Sequence, residues 1–435
     1  MLLKLGIDGV SSVPNFNLPK TYFEGENGMM VDITKIKKEP LHIDWIKKSK
    51  DVDTECLKKA LDYAVGIVSD NLESFTEKFP SAGGVNGVYQ PTNNADTLLS
   101  SDWTSSFWTG MVWLAYELTG EERFRRVGLQ HSQSFRDRYE KNEILDHHDI
   151  GFLYSLSCVA AYKLTADEFS KETAILAARK LCKQYLEKCG ALQQWGSTTD
   201  TENPKLGVCI IDGCMNLPLL YWAANATGDM DFYKKAYSHI LSVGKYMIRD
   251  NGASQQNIKF DVFTGEMLGV YTSQGDGGDE ACWSRGQAWA IYGFVLSYLY
   301  TGDKQLLELS KICANYFLNR LQSDDCANWD FLYRHDQDQR DTSAVAIAAC
   351  GLIELSKQLP VTSQEHKMYE AAARVLIGAL TENYLYTKEE SPNALLKAGV
   401  YAFKVDLCVN EPVIWGDYFY MEALTRLLYP HRIFW

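Results

Sequence analysis

The chain has no C-x-x-C pair, no apolar run approaching a membrane span and no excess of positive charge, and each absence removes a class of function. Its 11 cysteines are odd in number and scattered, many within helical apolar patterns such as those around Cys158, Cys313 and Cys350. Such spacing indicates neither a disulfide framework nor a zinc site, and the thiols read as small buried hydrophobes. With 43 Lys and Arg against 56 Asp and Glu, the formal charge is −13. That argues against nucleic acid as a partner, because phosphate binding requires a basic surface. The start, Met1-Leu2-Leu3-Lys4-Leu5-Gly6-Ile7-Asp8, has too short an apolar run for a signal peptide. With no candidate span either, a cytoplasmic protein without membrane contact is expected. Also missing are H-E-x-x-H, a P-loop, a G-x-G-x-x-G after a strand and a G-x-S-x-G elbow. Those chemistries lack support, and no cofactor is expected.

Aromatic residues are plentiful: 11 Trp, 25 Tyr and 18 Phe in 435 residues suit a large core with an aromatic-lined cleft. Nothing in the middle of the chain reads as a linker, so residues 1–50 are taken as an N-terminal extension and 51–435 as one domain. From about residue 52 the pattern is helix after helix, with no convincing alternating strand. Short turns recur with similar chemistry at Thr119-Gly120-Glu121-Glu122, Thr165-Ala166-Asp167-Glu168, Thr227-Gly228-Asp229-Met230 and Thr301-Gly302-Asp303-Lys304. Each ends one helix with Gly or Ala and opens the next with an acid in its first turn. Much longer loops separate these hairpins. Helices after the long loops begin near Thr104, Asp149, Asp212, Trp283, Asp341 and Asp417 and are rich in small and aromatic residues. Those after the short turns are amphipathic, as an outer ring would be. Six hairpins predict an all-α (α/α)6 barrel; an open solenoid of αα-hairpins is the alternative, and the uneven loops fit it less well.

The long loops all enter inner helices at their N-termini, so they gather on one rim, which is the predicted active site. Two lone carboxylates mark that rim: Asp149 in His147-His148-Asp149-Ile150-Gly151 and Asp212 in Cys209-Ile210-Ile211-Asp212-Gly213-Cys214. An Asp among apolar residues needs a compensating reason, which is either helix capping or chemistry. Two carboxyls in different surroundings are what a general acid and its partner require. His148 can hydrogen-bond a substrate, tune Asp149 or be structural. Arg285, in the first turn of an inner helix, opposes the helix dipole and is read as a carboxylate-binding residue in preference to an ion-pair partner. Asp341 and Asp417 are read as caps. Trp103, Trp108, Trp195, Trp283 and Trp415 lie in or beside the long loops and together form candidate stacking platforms for sugar rings. The run His147-His148-Asp149 lacks partner ligands at diagnostic spacing, so no metal is expected.

These residues, with Asp102-Trp103-Thr104-Ser105-Ser106-Phe107-Trp108-Thr109-Gly110, Gln194-Trp195-Gly196, Cys282-Trp283-Ser284-Arg285-Gly286-Gln287-Ala288-Trp289, Arg340-Asp341-Thr342-Ser343-Ala344 and Ile414-Trp415-Gly416-Asp417-Tyr418, resemble the unsaturated glucuronyl hydrolases of glycoside hydrolase family 88. The resemblance runs from about Asp102 to the last residue and implies an (α/α)6 barrel. It implies an enzyme that removes a Δ4,5-unsaturated uronic acid from the non-reducing end of lyase-generated oligosaccharides by hydrating a vinyl ether. By the same resemblance Asp212 is the acid/base and Asp149 the second essential carboxylate. Trp103, His148, Trp195, Gln274, Trp283, Arg285 and Trp289 fall on positions that contact substrate. The partner implied is an oligosaccharide ending in an unsaturated uronic acid, bound by a monomer or a homodimer.

The chain departs from the pattern in places. Ser273 precedes Gln274 where relatives usually carry His or Arg, and Gln256 stands near another usual His. The loop Asp276-Gly277-Gly278-Asp279-Glu280 is acidic, and no S-x-x-S-x-K motif follows Gly399-Val400-Tyr401, although Lys404 is present. An unsulfated or neutral sugar beyond the uronic acid is therefore expected. Other readings are an unsaturated rhamnogalacturonyl hydrolase, an inverting glycosidase or epimerase on the same barrel, and a non-catalytic carbohydrate-binding protein. An inverting enzyme needs a water-spaced carboxylate pair, and an epimerase needs a histidine pair.

Overall fold

The computed structural model describes residues 31–97, 101–278, 280–431 and 433–435. Outer helix α1 (Thr54–Asn71) precedes inner helix α2 (Ser101–Thr119), and the alternation continues with α3 (Glu122–Glu140) outside. Inner helix α4 runs as Ile150–Tyr154, a π-helical turn Ser155–Val159 and Ala160–Thr165. Then come outer α5 (Glu168–Leu181), inner α6 (Leu217–Thr227), outer α7 (Met230–Met247) and inner α8 (Ser284–Thr301). Outer α9 (Lys304–Leu318), inner α10 (Thr342–Lys357), outer α11 (Gln364–Asn383) and inner α12 (Ile414–Leu428) complete the set. Helix α12 packs against both α1 and α2, so the last inner helix meets the first hairpin. The ring closes as an (α/α)6 barrel.

Burial separates the two layers as the composition implies. Helix α10 is buried from Thr342 through Ser356, whereas α1 buries only the stripe of Leu57, Ala60, Leu61, Ala64, Ile67 and Val68. The short turns use one device. Gly120, Ala166, Gly228 and Gly302 adopt positive φ and stop the inner helices. After three of these turns an Asp caps the next outer helix: Asp167, Asp229 and Asp303 accept from the backbone N–H groups of Ser170, Asp231 and Gln305.

The expectation of a chain without strands is corrected in the long loops. Val208–Ile210, Asn257–Phe260 and Met267–Tyr271 form an antiparallel sheet, and Gly399–Ala402 pairs with Leu407–Glu411. Loops of this length carry many backbone polar groups toward the interior, and pairing satisfies them. Strands of two to five residues are too short to show a period of two in sequence. The first 30 residues of the expected extension lie outside the described residues. Its remainder packs on the barrel: Trp45 is buried, and Glu39 pairs with Arg320 of the α9 end at 2.9 Å. Among the described residues no helix is long and apolar enough to cross a membrane.

Candidate active site

Side chains from the N-terminal ends of all six inner helices meet on one rim. Trp103 of α2 lies 5.0 Å from Trp415 of α12, and the Arg285 guanidinium of α8 sits 4.9 Å from the Trp415 ring. Arg285 pairs with Asp341, which precedes α10, at 3.1 Å. Asp149 directly precedes α4, and Asp212 lies in the 3-10 turn Ile211–Met215 ahead of α6. These last two segments approach closely because Gly151 has no side chain: a Cβ there would overlap the backbone of Asn216. Asn216 joins them, with its Oδ1 accepting the Phe152 N–H at 2.7 Å and its Nδ2 donating to the Asp212 carbonyl at 3.3 Å.

Neither catalytic candidate is a cap. Asp149 and Asp212 accept no capping hydrogen bond, whereas Asp341 accepts the Ser343 N–H at 3.1 Å as expected of a cap. Instead both carboxylates face His148, whose Nε2 is 3.3 Å from Asp149 Oδ1 and 3.4 Å from Asp212 Oδ1. Burial works against charge on all three groups, and they resolve it differently. The carboxylates outweigh burial at His148 and raise its pKa. At Asp149, burial is outweighed by His148 and His147, which hold the carboxyl well below the usual carboxylate range. At Asp212, burial and the negative charge of Asp149 prevail over His148 and Arg285 and push the pKa up to about 7. Side-chain exposure is 17% at Asp212 and 6% at Asp149, so the protonated acid is the more open to a substrate. A carboxylic acid beside a carboxylate at neutral pH is a proton donor with a partner that stays charged.

The aromatic wall is assembled from Trp103, Trp415 and Trp283. Trp103 Nε1 donates to the Tyr401 hydroxyl at 2.9 Å, and Arg285 stacks over Trp283 at 4.5 Å. Trp195, half-buried, stacks on His147 at 4.8 Å, with Lys205 beneath its ring at 5.7 Å. Gln274 reaches the same rim through Gln256, whose Oε1 accepts the N–H groups of Ser273 and Gln274, each at 2.7 Å. Trp289, 1% exposed, packs against Phe152 and Phe419 below the rim. Three readings are corrected. Arg285 does not present an open fork: its NH groups are engaged by Asp341 and by the carbonyls of Val400 and Tyr401, so it is the ion-pair partner. Asp417 is not a cap, because it sits one turn inside α12 and accepts from Leu395 N–H, Leu396 N–H and the Tyr89 hydroxyl. Trp108 is buried in α2 and donates to the Phe75 carbonyl, away from any platform.

Comparison with known proteins identifies the family. Residues 85–392 match Glycosyl Hydrolase Family 88. The chain belongs to that family. It is 38% identical over 378 residues to the unsaturated chondroitin disaccharide hydrolase of Streptococcus pneumoniae, covering 87% of this chain and 93% of the relative. It is also 38% identical over 371 residues to the unsaturated glucuronyl hydrolase of Bacillus sp. (strain GL1), covering 85% and 96%. The crystal structure of the unsaturated glucuronyl hydrolase from Streptococcus agalactiae superposes with a TM-score of 0.86 at 35% identity, covering 92% of this chain and 99% of that one. This member of family 88 is a glycosidase.

Several residues of the candidate site were not singled out from sequence. His147 orients Asp149: its Nδ1 accepts the Asp149 N–H at 3.1 Å while its Nε2 donates to the Ile144 carbonyl at 2.9 Å. Asn216, Tyr401 and Gly151 serve the geometry just described. Only Gly151, a glycine directly after the carboxylate that opens a helix, carried a readable signal. One atom each from His148, Asp149 and Asp212 lie within 4.8 Å of one another, so together they could ligate a cation. The opposite pKa shifts of the two carboxyls also suit a proton-transfer site.

Proposed function

We propose that this glycosidase removes a Δ4,5-unsaturated glucuronic acid from the non-reducing end of lyase-generated oligosaccharides by hydrating the C4=C5 vinyl ether. The observation that carries the reading is the uncapped carboxyl of Asp212, its pKa pushed up to about 7 while Asp149 beside it stays ionised. In this reading the Asp212 carboxyl gives its proton to C4, and the ring oxygen stabilises the positive charge that develops at C5. Water then attacks C5 and passes a proton to the Asp212 carboxylate. The resulting hemiketal opens, and the hemiacetal left at C1 collapses and expels the remaining sugar. Asp149 and His148 bind the sugar hydroxyls, and the negative charge of Asp149 helps burial keep Asp212 protonated against the pull of His148. One oxygen of each carboxyl lies within 4.8 Å of the other, and His148 Nε2 is 3.3 Å and 3.4 Å from the two groups, so a histidine nitrogen holds the place that a water takes in an inverting pair.

Trp103, Trp195 and Trp283 are the stacking faces, Gln274 is a polar contact, and the Arg285 charge offsets the uronate through its field. Lys404 Nζ lies 3.1 Å from the position a Gly277 Cβ would take, beside a loop whose acids disfavour a sulfate, and this supports an unsulfated second sugar. Eleven unpaired thiols suit a reducing compartment such as the cytoplasm. The test follows the ultraviolet absorbance of the conjugated uronate with unsaturated disaccharides from chondroitin, hyaluronan, heparin and pectin. Loss with wild type but not with Asp212→Asn is expected, fastest on an unsulfated substrate. No loss on any of them defeats the reading, and loss confined to the pectin product favours a rhamnogalacturonyl hydrolase.

A further inference from the structure

Two buried nitrogens beside the acid site have no hydrogen-bond partner: Nδ1 of His148 and Nε2 of His239. His239 lies on outer helix α7, is fully buried and accepts the Leu192 N–H at Nδ1 over 3.0 Å. That bond assigns its proton to Nε2. Burial, with the charge of His148 nearby, pushes its pKa down to about 3 and keeps the ring neutral. The open nitrogen of His239 is therefore a donor. Both open nitrogens address one place, because a Cβ on Gly213 would stand 2.7 Å from His239 Nε2 and 3.2 Å from His148 Nδ1. Those two distances bound the separation of the nitrogens at about 6 Å, a range within which one water can bridge them.

We propose that His239 is a positioning residue for the reaction: through one water held over Gly213, its Nε2–H engages Nδ1 of His148 and keeps the Nε2 edge of that ring between Asp149 and Asp212. The inference rests on the acid-site reading above and adds a group that touches no substrate. The charges facing His148 are Asp149 and Asp212 on its ε edge and Lys205 from the loop before the 3-10 turn, with neutral His239 on its δ edge. Arg285 faces Asp212. A donor at the δ edge favours Nδ1 as an acceptor and so opposes the full imidazolium that the carboxylates favour. Without it, His148 holds a fuller positive charge, and Asp212 beside it loses its proton at lower pH.

The test uses His239→Phe, which removes the donor, Gly213→Ala, which fills the approach, and His239→Gln, which restores a side-chain N–H near the Nε2 position. Thermal unfolding establishes that each is folded. In His239→Phe and Gly213→Ala the alkaline limb of kcat/KM for loss of uronate absorbance is expected to move down by about half a pH unit or more, with kcat falling roughly tenfold and KM nearly unchanged. His239→Gln is expected to return the limb toward wild type. A second reading needs no turnover: the 15N histidine signal that is absent from His148→Gln should titrate at higher pH in His239→Phe and Gly213→Ala than in wild type. A His148 titration that coincides with wild type in both folded variants overturns the proposal, as does an unmoved limb with the Gln variant as impaired as the Phe variant. Wild type without turnover would defeat the functional reading, and the histidine titration would still decide this one.

Discussion

Asp212 and Asp149 are the same residue type, both precede inner-helix segments on one rim, and they end in opposite protonation states. Their neighbours make the difference. Asp149 is reached by two histidines, whereas Asp212 faces one and also meets the negative charge of Asp149. With Asp212 titrating at about 7, kcat/KM is expected to fall as pH rises through that value, while the ionised state of Asp149 persists into acid. A rate–pH profile flat from pH 5.5 to 8.5 would contradict this assignment. The same shift has a stability consequence. The folded state holds a proton that the unfolded chain, with a carboxyl at 3.8, has released, so stability falls as pH rises from about 4 to about 7. Asp212→Asn removes that dependence. Its melting temperature is expected to exceed that of wild type by more at pH 8 than at pH 4.5, and an equal difference at both would sink the argument. An activity loss with a gain in stability is the pattern of a site held in an unfavourable state for function.

At the scale of elements, the acid site depends on two segments packed at a glycine. Helix α4 begins at Ile150, and its first turn meets the 3-10 turn of Asp212 where Gly151 faces Asn216. Gly151→Ala must push these backbones apart, and no flexible side chain there can yield instead. Overpacking of this kind costs about 1–3 kcal/mol. It would also move Asp212 off His148, so a drop in kcat of roughly tenfold or more is expected beyond what the stability loss explains. Urea unfolding and turnover measured on the same preparation check both parts, and normal turnover would show that the approach is not needed. Helix α4 also carries the π-helical turn Ser155–Val159 one turn further in, a feature often found beside functional sites. The periodicity of the inner and outer helices was legible, and so were their turns. The short strands in the loops were not, since pairing partners such as Ile210 and Asn257 are distant in the chain.

At the scale of the whole molecule, closure of the ring depends on contacts between its first and last parts. Asp417 of α12 binds Leu395 N–H, Leu396 N–H and the Tyr89 hydroxyl, and so ties the loop after α11 and the loop after α1 to the last inner helix. Asp417→Ala leaves two buried N–H groups without acceptors and is expected to destabilise the fold by about 3 kcal/mol or more. Denaturant unfolding measures this, and a change below about 1 kcal/mol would show that the loops are held by other contacts. Inside the barrel Trp435 stacks on Phe419 at 5.7 Å and meets the edge of Phe152, and toward the C-terminal ends of α10 and α12 Arg426 pairs with Glu354 and Glu422. Because the triad of His148, Asp149 and Asp212 is read as a proton-transfer site, turnover is expected to be unchanged after dialysis against a chelator. A loss restored by a divalent cation would reassign these three residues as ligands.

The amino-acid sequence alone determined the helical hairpins, the rim to which the long loops belong, and the two carboxylates on it, because hydrophobic period, turn residues and an acid in an apolar run are local properties. It also carried the family motifs. Only the tertiary structure decided which charges are free and which are paired. Arg285 meets Asp341 across 56 positions and Val400 across 115, and Asp417 meets Leu395 across 22. His239 reads in sequence as one more polar residue on an amphipathic helix, and it gains significance only where Gly213 brings it opposite His148. Electrostatic roles depend on distances of a few ångströms and on burial, and both are set by packing between segments that no local pattern records.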